Sequence, residues 1–242
     1  MRVAVISDIH GNLHALEAVL AAIDGESPDA VWCLGDLVGY GPRPNECCSV
    51  VSERADVCLV GNHDLGVLGA IPIHDFSADA AAAVAWTRGT LAPDARAFLS
   101  ALRPLASVEG QELFHASPRD PVWEYVLGTD AALDALELTS GPLVLVGHSH
   151  VPLAFWLDGQ GIHGGIASGG TTLDLGDSRW VLNPGSVGQP RDGDPRAAYL
   201  MLDLGARSAV FRRVPYAVEV TQRELLGQGL PPVLAERLER GA

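Results

Sequence analysis

Five short apolar runs in the first 150 residues are each followed within two residues by an Asp, Asn or His side chain. The runs have the length and residue types of buried strands. They are residues 3–6, 30–34, 57–60, 112–114 and 143–146. Because parallel strands of an open α/β sheet present their carboxyl ends at one edge, side chains far apart in the chain can meet there. The pattern therefore predicts a largely parallel sheet with polar side chains gathered at that edge.

The rest of the chain alternates helical and strand patterns. Residues 12–23 have leucines at helical spacing after a capping Asn12, and residues 76–102 predict one or two more helices. After Val151, short runs broken by glycine pairs predict strands of a second, more antiparallel sheet. These runs are 153–157, 171–175, 180–182, 198–202 and 209–213. We predict one domain over residues 1–242, with a helical C-terminal extension at about 220–240.

Composition excludes several classes of function. The 30 acidic and 16 basic residues give a net charge of −14, which disfavours nucleic acid as a partner because it repels phosphate backbones. Every basic residue is Arg, so lysine Schiff-base chemistry and a P-loop lysine are excluded. No apolar run approaches the roughly 18 residues that span a bilayer, so we expect no membrane segment. The short apolar N-terminal run predicts a cytoplasmic protein whose cysteines are reduced and buried.

The polar clusters have the composition of a metal site. In an extended segment, Asp8-Ile9-His10 and His148-Ser149-His150 each place two side chains on the same side. Carboxylates, an amide oxygen and imidazoles suit borderline divalent ions better than Ca²⁺ or a structural zinc. One such cluster alone is more often a surface turn. Because such clusters follow all five runs, the sequence predicts a site for two metal ions.

Together these clusters resemble the motifs of the calcineurin-like metallophosphoesterases. The motifs occur in that family's order as Asp8-x-His10, Gly35-Asp36, Gly61-Asn62-His63-Asp64, His115 and Gly147-His148-x-His150. A later segment, Asn183-Pro184-Gly185-Ser186-Val187-Gly188, looks like the small bacterial and archaeal phosphodiesterase branch. The resemblance implies an α/β fold, a two-sheet α/β sandwich of mixed sheets flanked by helices.

The resemblance also implies a dinuclear metallophosphoesterase that hydrolyses phosphomonoester or phosphodiester bonds in a small phosphorylated substrate. The implied ligands are Asp8, His10 and His150 for the first ion, Asn62, His115 and His148 for the second, and Asp36 for both. The two divalent ions, drawn from Mn, Fe, Zn or Ni, would share a bridging hydroxide as nucleophile. The implied catalytic residue, His63, would give a proton or a hydrogen bond to the leaving oxygen.

Three further residues are candidates for binding the substrate. Arg191 could grip the phosphate as a bidentate donor or lie on the surface, and Tyr40 and Arg43 could shape the pocket or pack in their loop. The protein Ser/Thr phosphatase branch carries Asp and Arg where this chain has Gly39 and Tyr40. That departure disfavours a protein phosphatase and leaves the residue that orients His63 unidentified.

Other functions stay open as alternatives. A non-catalytic metal-binding scaffold exists on the same fold in the retromer subunit of the superfamily, but that protein lacks the catalytic histidine, whereas this chain keeps His63. A protein or nucleotide phosphatase and a metal-dependent nuclease are further alternatives, although no basic track is visible. Cys48 and Arg54 have the spacing of a cysteine phosphatase, but the loop between them lacks glycine and a helix beginning near Asn45 is favoured. The oligomeric state is left open.

Overall fold

In the computed structural model, which describes residues 1–242, two six-stranded mixed sheets lie face to face with helices outside them. The strands are β1 Arg2–Ile6, β2 Ala30–Cys33, β3 Val57–Cys58, β4 Leu105–Val108, β5 Gln111–Phe114, β6 Leu143–Val146, β7 Pro152–Asp158, β8 Gly161–Ile166, β9 Thr172–Asp174, β10 Arg179–Pro184, β11 Ala197–Asp203 and β12 Ser208–Val214. The helices are α1 Leu13–Glu26, α2 Pro44–Arg54, α3 Asn62–Leu68, α4 Ala78–Thr90, α5 Pro93–Ala101, α6 Thr129–Glu137, α7 Val218–Gly227 and α8 Pro232–Arg240, with a 3₁₀ turn at Ile73–Asp75. The α/β sandwich is thereby confirmed.

Both sheets are mixed, as the resemblance implies, but the expectation that the strands after Val151 form a second, more antiparallel sheet of their own was wrong. The first sheet has the order β3-β2-β1-β11-β12-β9, and the second has the order β4-β5-β6-β10-β7-β8. Each sheet joins strands from the first 150 residues to strands from the later part of the chain, because β11 pairs antiparallel with β1 and β10 pairs parallel with β6. The texture of ten of the twelve strands could be predicted from the sequence, but their partners could not.

The alternation of side chains along β1 shows how the layers are packed. Val3 and Val5 belong to the apolar cluster between the two sheets, whereas Ala4 and Ile6 belong to the cluster under the outer helices. Both faces of this strand are buried, which explains why its sequence is a continuous apolar run.

The predicted helices are confirmed near their expected bounds. The side chain of Asn12 accepts a hydrogen bond from the backbone N–H of Ala15 at 3.2 Å and caps α1. The region 76–102 contains α4 and α5. Strands β4 and β8 had no sequence prediction, because β4 has partly exposed residues and β8 carries three glycines among its six residues.

The cysteine phosphatase alternative is excluded by the position of Cys48. This residue lies inside α2, where burial raises the pKa of its thiol instead of lowering it. All four cysteines are free, and Cys33, Cys47 and Cys48 are buried as predicted.

The last two helices pack beside α4. Leu225 of α7 and Leu234 and Leu238 of α8 form an apolar cluster with Ala83 of α4 and with Tyr40. None of the helices combines the length and apolarity that crossing a membrane would require.

The C-terminal end of α1 is tied to the first sheet by Glu26. Its carboxylate accepts hydrogen bonds from Arg212 Nε at 3.0 Å, Arg212 Nη2 at 2.8 Å and the Tyr199 hydroxyl at 2.6 Å. The hydrogen bonds from Arg212 hold the pKa of Glu26 below its ordinary value of 4.5.

Replacing Glu26 with Gln should lower the free energy of unfolding by about 1 kcal/mol at pH 7, since the pair is partly exposed. Because the folded-state pKa of Glu26 is lowered, this stabilisation is present above pH 4.5 and is lost as pH falls through the folded-state pKa. Urea unfolding of both proteins at pH 7 and at pH 3 measures the difference. Glu17→Gln, on an exposed face of the same helix, is the control. A difference that stays constant with pH would contradict this account.

Candidate active site

The loops that follow β1, β2, β3, β5 and β6 meet at one place. Because β1, β2 and β3 belong to one sheet and β5 and β6 to the other, the meeting point lies at the carboxyl ends of parallel strands in both sheets. The seven side chains brought together there are Asp8, His10, Asp36, Asn62, His115, His148 and His150. All seven are buried.

The first group of donors surrounds His10. Its Nε2 lies 3.0 Å from His150 Nε2, 3.6 Å from Asp36 Oδ2 and 4.0 Å from Asp8 Oδ1. The distance from His150 Nε2 to Asp8 Oδ1 is 3.5 Å. These four side chains are close enough to coordinate one ion.

The second group shares Asp36 with the first. His115 Nε2 lies 3.6 Å from Asp36 Oδ2 and 3.2 Å from Asn62 Oδ1, and His148 offers a further nitrogen nearby. The geometry therefore has two adjacent groups with one carboxylate in common.

Backbone carbonyl groups orient the imidazole rings. The Nδ1–H groups of His10, His115 and His150 point at the carbonyl oxygens of Val38, Leu34 and Gln189, at 3.1, 2.8 and 2.6 Å. Donation to those carbonyls leaves each Nε2 lone pair facing the cluster. His148 is reversed, because its Nε2–H donates to the Trp123 carbonyl at 3.2 Å and leaves Nδ1 free.

The loops after β1, β2 and β6 carry their donor side chains in left-handed turns and not in extended segments. Asp8, His10, Asp36, His148 and His150 have φ values of 54°, 51°, 54°, 64° and 59°. This region of φ is sparsely populated by residues other than glycine. The expectation that Asp-x-His and His-x-His act through strand alternation was therefore wrong, since it is the turns that direct both side chains of each pair inward.

A close approach of two loops fixes the shared carboxylate. A Cβ atom at Gly61 would lie 2.0 Å from Asp36 Oδ1, so only glycine fits there. The backbone N–H of His63 donates to the same Oδ1 at 2.9 Å. Asp64 accepts the N–H groups of Gly61 and Val38, each at 3.0 Å, because α3 has already begun at Asn62.

The Asn183–Gly188 segment supports the site from the other side. Asn183 Nδ2 donates to the Gly147 carbonyl at 2.6 Å and to Ser149 Oγ at 3.0 Å. The Ser186 hydroxyl donates to the Asp8 carbonyl at 2.7 Å. The segment therefore holds the loops that carry Asp8, His148 and His150 without contributing a ligand.

The electrostatics of the cluster suit bound cations. Burial raises the pKa of Asp8 to about 7, raises the pKa of Asp36, and lowers the pKa of His10 and His150. Asp8 Oδ1 and Asp36 Oδ2 are buried without a hydrogen-bond partner. Burying unpartnered carboxylate oxygens beside imidazole lone pairs costs free energy, and a divalent ion would offset that cost. The residues therefore fit the implied metals.

His63 lies beside the cluster without belonging to it. Its ring centroid is 4.3 Å from that of Tyr40, 4.8 Å from that of His10 and 5.0 Å from that of Phe76. Its Nδ1 has no hydrogen-bond partner, and a Cβ at Gly39 would lie 2.5 Å from that atom. Ring packing, and not an orienting carboxylate, therefore holds His63, and burial lowers its pKa.

A cleft of about 300 Å³ opens onto His63 and Asn62. Two of the three candidate substrate residues, Tyr40 and Arg191, line this cleft. Arg191 Nη2 lies 3.4 Å from the Tyr40 hydroxyl, and its guanidinium carbon lies 5.8 Å from the centre of the Tyr40 ring.

Arg43 does not reach the cleft. Its guanidinium donates to Glu224 of α7, at 2.6 and 3.0 Å, and to Glu46. Arg43 therefore ties the C-terminal helices to the loop after β2, which is the packing alternative that the sequence left open.

Four aromatic or basic residues of the cleft were not predicted from the sequence. They are Phe76, Trp123, Tyr125 and Arg237. The pair Trp123-x-Tyr125 follows the His115 motif closely. Two large aromatic residues in a loop near a predicted site were the signal that could have indicated a binding surface. Nothing in the sequence connects Arg237, on the last helix, with residues near position 63.

Comparisons with known proteins agree with this geometry. A family model described as the calcineurin-like phosphoesterase superfamily domain matches residues 1–207. The chain is 38% identical to an uncharacterised protein of Methanocaldococcus jannaschii, over 99% of this chain and 98% of that protein. A metallophosphoesterase from Sphaerobacter thermophilus has a similar crystal structure, with a TM-score of 0.90 and 39% identity over 100% of this chain and 99% of that one.

Another relative, which matches over part of its length, has a more specific name. The symmetrical bis(5′-nucleosyl)-tetraphosphatase of Nitrosococcus oceani is 32% identical over 155 residues, which span 59% of this chain and 52% of that protein. The chain thus corresponds to about half the length of that relative.

Binding of Mn²⁺ or Zn²⁺ to the metal-stripped protein should raise its melting temperature by about 5–10 °C when the free ion is near 100 times its Kd. Asp36→Asn should lose most of this increase because Asp36 belongs to both groups, whereas Asp130→Asn, an exposed change on α6, should keep it. Since ions bind the carboxylate form, binding should strengthen as pH rises through the Asp8 pKa of about 7. Equal ion affinity in Asp36→Asn and the original protein would refute the assignment.

Proposed function

This chain belongs to the calcineurin-like phosphoesterase superfamily, and from that premise we propose that it is a metal-dependent phosphoesterase acting on a small phosphorylated substrate. The observation that carries the proposal is the pair of adjacent donor groups that share Asp36, with His63 beside them at the head of a cleft. We assign one divalent ion to each group, as the sequence predicts.

The chain's own residues have distinct tasks in this reaction. Bound divalent ions would supply an activated water and neutralise charge on the phosphate. Asp8, Asp36, Asn62 and the four histidines would hold the ions, and backbone and side-chain contacts orient these donors. Such preorganisation costs little rearrangement at the moment of reaction.

His63 is placed to act on the leaving group. It is buried, lies outside both donor groups and lines the cleft that a substrate would fill. An imidazole there can give a hydrogen bond or a proton to the departing oxygen. Arg191 lines the same cleft and can contact a phosphate oxygen through its guanidinium.

The size of the cleft favours a small substrate. About 300 Å³ is at the lower end of the range for small-molecule sites. A relative named bis(5′-nucleosyl)-tetraphosphatase agrees with that class of substrate. A non-catalytic scaffold would need neither His63 nor the cleft, so no observation favours that alternative.

Hydrolysis of p-nitrophenyl phosphate, or of bis(p-nitrophenyl) phosphate, should appear when Mn²⁺ is supplied and vanish with EDTA. His63→Ala should lower kcat by about 10²-fold or more because it removes the group that assists departure. The same variant should keep the metal-induced rise in melting temperature, since His63 is not a ligand.

His163→Ala is the matched control, because His163 lies on β8 away from the site and is partly exposed. Its kcat should equal that of the original protein. Absence of turnover with Mn²⁺, Fe²⁺, Zn²⁺ and Ni²⁺ alike would refute the proposed function. Full activity in His63→Ala would refute the role of that residue.

A further inference from the structure

The cleft beside His63 has an aromatic wall built from two segments. Phe76 comes from the turn before α4, and Trp123 and Tyr125 come from the loop between β5 and α6. The ring centroids of Phe76 and Trp123 are 5.1 Å apart, and the Tyr125 ring lies parallel to that of His148 at 4.2 Å. Tyr125 is 47% exposed, so its second face is open. Aromatic side chains of this kind bind planar rings by stacking.

Positive charge gathers in the same cleft although the chain carries a net charge of −14. Arg191 and Arg237 line the cleft, and Asp75 is the one acidic side chain among the lining residues. Neither of these two arginines forms an ion pair. In contrast, Arg212 and Arg213 are paired with carboxylates of Glu26 and Asp192.

Arg237 is held at the cleft by the helix that carries it. The neighbouring Leu234 and Leu238 are buried against Tyr40 and α4, which fixes the orientation of α8. Arg237 itself stays partly exposed and turns toward the cleft. The helix lies beyond residues 1–207, the part of the chain that the family model matches.

We propose that this cleft selects a substrate whose terminal phosphate is joined, through a phosphoanhydride bond, to a leaving group that combines a planar aromatic ring with a second anionic group, as in a nucleoside diphosphate or triphosphate. Trp123 contacts the ring, and Arg237 contacts the second anion and determines specificity. The inference rests on the proposed function, because the scissile phosphate must lie at the donor cluster. In the reaction, the hydroxyl of water joins the terminal phosphorus, the P–O bond to the leaving phosphate breaks, and the other proton of water ends on that phosphate.

Three substrates separate the two contacts, with the Mn²⁺-loaded protein as the enzyme. ADP has both the ring and the second anion, p-nitrophenyl phosphate has only the ring, and inorganic pyrophosphate has only the second anion. We expect ADP to have the highest kcat/KM. Arg237→Ala should raise KM for ADP and pyrophosphate about tenfold, leave kcat within about twofold, and leave p-nitrophenyl phosphate unaffected.

The aromatic contact is tested by Trp123→Leu, which keeps apolar volume and removes the ring system. This variant should raise KM about fivefold or more for ADP and p-nitrophenyl phosphate but not for pyrophosphate. Arg240→Ala is the control for charge on the same helix, since Arg240 is 71% exposed and pairs with Glu236. It should change none of the three values. A thermal melt of each variant verifies that it is folded.

A binding measurement keeps this inference separate from the proposed function. Equilibrium dialysis measures the affinity of AMP for the Mn²⁺-loaded His63→Ala protein. We expect that affinity to fall about tenfold when Arg237→Ala is added. Loss of this pattern while p-nitrophenyl phosphate is still hydrolysed would overturn the inference alone. If AMP affinity falls as expected in Arg237→Ala but none of the substrates is hydrolysed, the proposed function alone is overturned. Equal KM values for ADP in Arg237→Ala and the original protein would also overturn the inference.

Discussion

Burial of the Asp36 carboxylate is the constraint on which the rest of the site depends. One of its oxygens accepts the N–H of His63, and the other, with no hydrogen-bond partner, lies 3.6 Å from both His10 and His115. A buried carboxylate without a counter-charge is unstable, and burial accordingly raises its pKa. Every neighbouring loop therefore has to bring either a donor for a cation or a backbone amide, and the loops after β1, β2 and β6 do so through left-handed turns that favour few residue types.

The strands and donors could be predicted from the sequence because their signals are local. The strand Val3 to Ile6 is apolar on both faces because both faces are buried. The Asp8-x-His10 motif comes directly after this strand. The pairing of β1 with β11 could not be predicted, because residues 197–203 have the same apolar texture whichever strand they join. Sheet partners are decided by packing across the whole molecule.

The predicted donor residues lie close together, but the geometric reason differs from the expected one in one respect. Asp8 and His10 were expected on the same side of an extended segment, yet both lie in a turn. The resemblance named the same residues because it compares motifs and not conformations. Arg43 lies in the loop after β2, where the sequence left pocket lining and loop packing open, and its guanidinium hydrogen-bonds to Glu224, which lies far along the sequence. Arg237 and Trp123 were missed, since tertiary packing alone brings them beside His63.

The matched family region ends at residue 207, but α8 begins at Pro232 and still borders the cleft. The donor cluster and the last helix are thus separate parts of one polypeptide, and their contact is formed by apolar side chains around Tyr40. A change confined to that terminal helix would reshape one border of the cleft and leave every donor side chain as it is.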